Sequence, residues 1–319
     1  MTGRARGNLK DEVAMVSGSC LCGDVAWEID GPLDAMTHCH CTSCRKAHGT
    51  AYATFVTFPE GRLRWLRGDA GIRGYESSPG SVRNFCGRCG SKLPSVAPFP
   101  FPYAFAGPLE GDLGLAPSSH IFVASKAPWH TISDDLPRHD GLATPGEEMP
   151  TPRHTEAAPG KIRGGCLCGA VAFEVEGPLV GGAIVSCHCL RCRRARSAAH
   201  GSHLFVDAAL FSWLRGEDQL EVYKVPEAAR YAQTFCRVCG SAMPAKKAPP
   251  PGPSAFRVIP CGALDDDPGV REGLHIFAGS RAPWETIVGS LPQHAEYPPA
   301  GFPPLARAAV AAVATDAAS

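Results

Sequence analysis

GSCLCG at 18–23, CHCTSCRK at 39–46 and FCGRCGS at 85–91 return in the same order as GGCLCG at 164–169, CHCLRCRR at 187–194 and FCRVCGS at 235–241. Each set holds seven cysteines: Cys20, Cys22, Cys39, Cys41, Cys44, Cys86 and Cys89, then Cys166, Cys168, Cys187, Cys189, Cys192, Cys236 and Cys239. An odd number cannot be used up by disulfides within a set. It divides instead into four, which closes a tetrahedral zinc site, and three, which leaves a coordination position open for chemistry.

Working outward, the two sets mark two copies of one domain. The offset between copies is 146 residues at Cys20/Cys166, 148 at Cys39/Cys187, 150 at Cys86/Cys236 and 155 at Trp129/Trp284, a drift that loop insertions produce. The 319-residue chain therefore divides into a first domain at 14–140, a flexible linker rich in Pro, Gly and charge at 141–161, a second domain at 162–298 and an Ala-rich tail at 299–319, which suits a frayed end or a short helix. The 35 glycines and 30 prolines favour a turn-rich β-protein. Alternation at 24–29 (DVAWEI) and 170–175 (AVAFEV) predicts half-buried strands, and 51–58 and 202–206 read as further strands. Only 45–48 and 193–199 look helical. The expected fold is mainly β, with short antiparallel strands in each copy.

Lys+Arg and Asp+Glu balance at 31 each, which argues against a large nucleic-acid footprint. No apolar run is long enough to span a membrane, and the N-terminal stretch has no apolar signal core. Fifteen cysteines without an export signal point to a cytoplasmic protein whose thiolates bind metal.

The outer four cysteines of each copy come as C-x-C and C-x-x-C pairs, each followed by glycine, and suit zinc, with iron the alternative. The inner C-H-C-x-x-C trio is compact enough for all three sulfurs to reach one ion. Two alternatives stand beside an open zinc site there: closure by His40 or His188 as a fourth ligand, or a disulfide between two of the three.

These motifs, together with APW at 127–129 and 282–284 and the DDLP and SLP that follow, resemble the glutathione-dependent formaldehyde-activating enzyme family, which includes centromere protein V. The resemblance implies a zinc-bearing β-tent in each copy. It also implies a structural zinc on Cys20, Cys22, Cys86 and Cys89 (Cys166, Cys168, Cys236 and Cys239) and a catalytic zinc on Cys39, Cys41 and Cys44 (Cys187, Cys189 and Cys192), up to four ions in all. The implied reaction joins formaldehyde to the thiol of glutathione, a carbon–sulfur lyase reaction run in either direction. A non-catalytic, zinc-stabilised binding module is the alternative. That branch's nucleic-acid or cytoskeletal role would need basic extensions, and the linker and tail lack them. Small thiols, rather than nucleic acid or membrane, are the expected partners, and the two copies are expected to pair with each other.

Several residues carry open readings. Arg45 and Lys46, and Arg193 and Arg194, either pair with glutathione carboxylates or are solvated. Gly49 faces Ser197 across the repeat, and a positive φ there would let Ser197 narrow the second site. His120 and His275 read as hydrogen-bonded packing residues, and Trp129 and Trp284 as anchors of the core or of the joint between copies. Asp265, Asp266 and Asp267 read as a solvated acidic turn, and Cys261 as a buried thiol. His200 and His203 stand opposite Tyr52 and Phe55, so they are not repeat-wide ligands.

Overall fold

The structure, a computed structural model, describes residues 15–96, 101–142, 158–229, 231–246 and 256–308. Most of the predicted linker and the end of the tail lie outside the described residues.

In the first half the strands are β1 (Val16–Ser19), β2 (Ala26–Ile29), β3 (Ala35–Cys39), β4 (Ala53–Thr57), β5 (Leu63–Arg67), β6 (Ile72–Ser78), β7 (Ser81–Cys86), β8 (Tyr103–Phe105) and β9 (His120–Ile121). They form a three-stranded sheet ordered β1-β2-β5, a four-stranded sheet ordered β8-β4-β3-β9 and a β6-β7 hairpin. All pairings are antiparallel except β3 with β9. The second half repeats this plan. Its strands are β10 (Lys161–Gly165), β11 (Ala172–Glu176), β12 (Leu179–Val180), β13 (Ile184–Cys187), β14 (Gly201–Asp207), β15 (Phe211–Arg215), β16 (Leu220–Lys224), β17 (Ala232–Cys236), β18 (Phe256–Pro260) and β19 (Glu272–Ile276). The sheets are β10-β11-β15, β18-β14-β13-β19 and β16-β17. β20 (Arg307–Ala308) pairs with β12, so the described part of the Ala-rich tail, 299–308, holds a two-residue strand and no helix.

The alternation read from the sequence is the alternation that folds. Trp27 and Ile29 are buried with Glu28 between them half-buried, and Phe173 and Val175 repeat this around Glu174. The helices start earlier than expected: α1 (Thr42–His48) and α2 (Leu190–Arg196) each include the last cysteine of the trio. Both end on a left-handed residue, Gly49 (φ 71°) and Ser197 (φ 51°).

The halves touch in reciprocal pairs. Phe85 and Phe235 meet edge to face, with ring centroids 6.4 Å apart. A Cβ on Gly90 would lie 2.4 Å from the Phe235 ring, and one on Gly240 would lie 2.5 Å from the Phe85 ring. Glycine is required at both places, because φ is also positive there, 75° and 68°. The tryptophans are exchanged. Trp129 and Ala127 pack in the second half's core with Ile162, Phe173 and Leu264, while Trp284 and Ala282 pack in the first half's core with Trp27, Ile29 and Leu109.

Candidate metal centres

Each group of four cysteines is brought together by a turn after the first strand and the C-x-x-C loop after the hairpin. In each group the four Sγ atoms lie within 4.8 Å of one another. Cys20 Sγ to Cys22 Sγ is 3.4 Å and Cys22 Sγ to Cys86 Sγ is 3.7 Å; the second group gives 3.4 and 3.8 Å. Four thiolates about 2.3 Å from a tetrahedral zinc stand about 3.8 Å apart, so the spacing fits that ion. None of the fifteen cysteines is in a disulfide. The sulfurs also accept local hydrogen bonds: Val25 N donates to Cys20 Sγ at 3.4 Å and Val171 N to Cys166 Sγ at 3.2 Å.

The trios form at the strand-to-helix junctions. Cys39 ends β3 and Cys187 ends β13. Cys41 and Cys189 cap α1 and α2, their sulfurs accepting from Cys44 N and Cys192 N at 3.4 Å. The three sulfurs of each trio lie within 4.8 Å, and no fourth ligand joins either group among the described residues. His40 is engaged elsewhere: its Nε2 lies 2.8 Å from His120 Nδ1, and His120 Nε2 lies 2.9 Å from Asp134. His188 likewise meets His275 at 2.9 Å. His120 and His275 are thus hydrogen-bonded, buried or half-buried residues, as expected. The phenylalanine after each H-I pair, Phe122 and Phe277, takes a positive φ (56° and 54°), a strained conformation for a bulky residue, and each packs against its own trio.

The surroundings of the two trios differ. Arg83, buried on β7, donates from Nη1 to Cys44 Sγ at 3.7 Å. Thiol donation from Cys39 and Cys41, with the Arg83 charge added, holds Cys44 well below the ordinary thiol range. In the second half Gln233 occupies the matching place, and Cys192 Sγ meets His203 Nε2 at 3.6 Å and the Tyr231 hydroxyl at 3.8 Å. Burial pushes His203 down to about 3 and Tyr231 well up, so both partners are neutral. Here Cys189 is the sulfur drawn down, by donation from Cys187 and Cys192. Sequence reading missed Arg83 and Tyr231, since nothing in a short strand marks which cation or phenol is buried beside a sulfur.

The basic residues after the trios are engaged within the protein, three of them buried and Arg194 half-buried. Lys46 is buried, pairs with Asp265 at 2.6 Å and donates to Gly165 O at 3.1 Å. Arg193 reaches Gly107 O at 3.4 Å and Arg194 pairs with Glu110. Lys46, Arg193 and Arg194 are thus spent on the other half, whereas Arg45, also buried, donates to Thr42 Oγ1 of its own helix at 3.4 Å. The acidic turn is used too: besides Asp265, Asp266 accepts from Arg163 N at 2.7 Å and Asp267 pairs with Arg271. Ser197 does not narrow the second trio; its hydroxyl donates to Lys92 O of the first half at 2.8 Å. Cys261 is fully buried, and burial pushes its thiol well up, as expected of an inert packing residue.

No described helix is long and apolar enough to cross a membrane. A crystal structure of a Rhodobacter sphaeroides protein is 25% identical to this chain, with 33% of this chain and 89% of that one covered and a TM-score of 0.26. The profile of the glutathione-dependent formaldehyde-activating enzyme matches twice, over residues 15–125 and 161–280, each match spanning one complete set of seven cysteines. With both sets gathered as four and three in the fold, the chain belongs to the glutathione-dependent formaldehyde-activating enzyme family, in two tandem copies.

Proposed function

We propose that this protein is a zinc-dependent carbon–sulfur lyase-type enzyme that joins a small thiol, glutathione or a close relative, to formaldehyde or a related aldehyde. The observation that carries the reading is the pair of three-sulfur groups, each with no fourth ligand among the described residues. In the reaction a carbon–sulfur bond forms at the aldehyde carbon and the thiol proton ends on the new hydroxyl oxygen, so no oxidant is needed.

Cys39, Cys41 and Cys44, with Cys187, Cys189 and Cys192, would hold the reactive zinc ions, and the two four-cysteine groups the structural ones, up to four in all. Zinc on three thiolates supplies an acidifying site for an incoming thiol and a Lewis acid for an aldehyde oxygen. The chain's own residues position and neutralise. Arg83 places a permanent positive charge against the first trio, offsetting the sulfurs' charge where a further anion must approach. His203 and Tyr231 give the second trio hydrogen bonds without that charge. The second trio feels the charge of Arg196 without a bond from it, so the larger share of turnover is assigned to the first trio, where the cation is bonded to a ligand sulfur.

The exchanged tryptophans support a second part of the reading: the two copies work as a covalently linked pair. Fifteen cysteines with no disulfide among them support a reducing, cytoplasmic setting. The test is thiol–formaldehyde adduct formation by the full chain and by Cys41→Ser, Cys189→Ser and the double variant. Cys41→Ser is expected to remove most of the turnover and the double variant all of it, with circular dichroism unchanged. Undiminished turnover in the folded double variant would refute the reading, and a wild type that neither binds thiol nor turns over would leave the zinc-stabilised binding module.

A further inference from the structure

Between the halves lies a cavity of about 230 Å³ whose walls come from both copies, among them His38, His120, His130, His200, Glu272 and Glu285. At its second-half side three donors converge. One nitrogen each of His188 and His200 and a carboxylate oxygen of Glu285 lie within 4.8 Å of one another. These residues are only 0%, 5% and 7% exposed. His188 Nε2 is already held by His275, which leaves its Nδ1 without a hydrogen-bond partner among the described residues. Neither ring nitrogen of His200 has one. A neutral imidazole carries one donor and one acceptor, so a ring buried with both unmet is costly unless something binds it.

The repeat sharpens the point. The matching first-half residues are His40, Tyr52 and His130, a set without a carboxylate, and His130 is bound to Glu272 at 2.9 Å. The second copy has thus replaced a phenol and an imidazole with an imidazole and a carboxylate at the place where His188 leaves a nitrogen unused. The outer hydrogen bond from His188 to His275 is the arrangement that orients a metal-ligating imidazole.

We propose that His188, His200 and Glu285 form a further metal site, free of sulfur, that takes a divalent first-row transition ion. Two imidazoles and one carboxylate are the donor set such ions accept while keeping open positions. His200 and Glu285 line the cavity, so a small oxygen or nitrogen ligand entering it would complete the coordination. Nothing in this site depends on how the cysteine trios react.

The test uses the full-length chain saturated with cobalt(II), freed of excess metal by gel filtration. Bound cobalt is counted by atomic emission, and the sulfur-bound share by thiolate-to-cobalt charge-transfer absorption. The wild type is expected to hold one equivalent more cobalt than His200→Tyr, which carries the first half's residue, with equal charge-transfer absorption in both. Glu285→Gln, close in shape to the native residue, is expected to weaken binding of that equivalent at least tenfold and serves if His200→Tyr does not fold. Equal cobalt content in wild type and folded variants would overturn the proposal, as would an excess accompanied by extra charge-transfer absorption.

Discussion

Arg83 stands where the second copy has Gln233 and is hydrogen-bonded to Cys44, whereas the second trio has the buried Arg196, opposite His48, acting on Cys192 through its charge alone. Arg83→Gln removes the cation bonded to Cys44 and puts the second copy's residue in its place. A cation close to an anionic group shifts its pKa by roughly 1–3 units, so the expected loss in kcat/KM is about tenfold or more, with zinc content unchanged. The measurement is steady-state kinetics in the Cys189→Ser background, where only the first trio works. Glu272 gives a pH test. Burial alone would raise its carboxyl, but the facing His130 overrides this and holds it below the ordinary value. The depressed folded pKa makes Glu272 stabilising above its unfolded pKa of about 4.3, and that contribution is lost as pH falls through the folded value. Glu272→Gln is therefore expected to cost about 1–3 kcal/mol at neutral pH, and its urea-unfolding curve to converge on that of the wild type toward pH 3. The sulfurs were legible in the sequence because metal ligation fixes their spacing. Arg83 and Glu272 were not, since their partners lie 39 and 142 residues away in the chain.

The two short helices show how one element can be duplicated and still diverge. Each is capped at its start by a trio cysteine and at its end by a left-handed residue. A positive φ at this place was foreseeable from Gly49. The reason the second copy tolerates serine was not, because it lies in the other half. A Cβ on Gly49 would lie 2.9 Å from the Cβ atoms of Ala242 and Pro260, whereas Ser197 has Lys92 O to bond. Left-handed backbone costs about 1–2 kcal/mol for a residue with a Cβ, and overpacking about 1–3 more. Gly49→Ala is thus expected to destabilise the protein by about 2–5 kcal/mol. Ser197→Ala loses only one hydrogen bond, about 1 kcal/mol in the same denaturation assay. Equal effects would show that the halves do not press together at α1 as described.

At the scale of the whole molecule, the repeat and the β class could be read directly, because cysteine order, turn residues and alternation are local signals. The exchange of tryptophans could not, since a sequence match shows which residues correspond and not whose core they fill. Trp129 is almost fully buried among second-half side chains, so Trp129→Ala is expected to cost about 3–5 kcal/mol. Amide exchange should then quicken in β11 and β15 of the second half more than in β2 and β5 of the first. The central claim is that each set of seven cysteines works as four closed and three open ligands. It is tested most directly by adding a mild chelator to the cobalt-substituted chain while following thiolate-to-cobalt charge transfer and glutathione binding together. The account predicts two phases. The first removes the signal of the six trio sulfurs together with glutathione binding while the eight outer sulfurs stay bound and the fold intact, and the second, at higher chelator, removes the signal of those eight. A single phase that strips all fourteen sulfurs at once, or glutathione binding that survives the first, would contradict it.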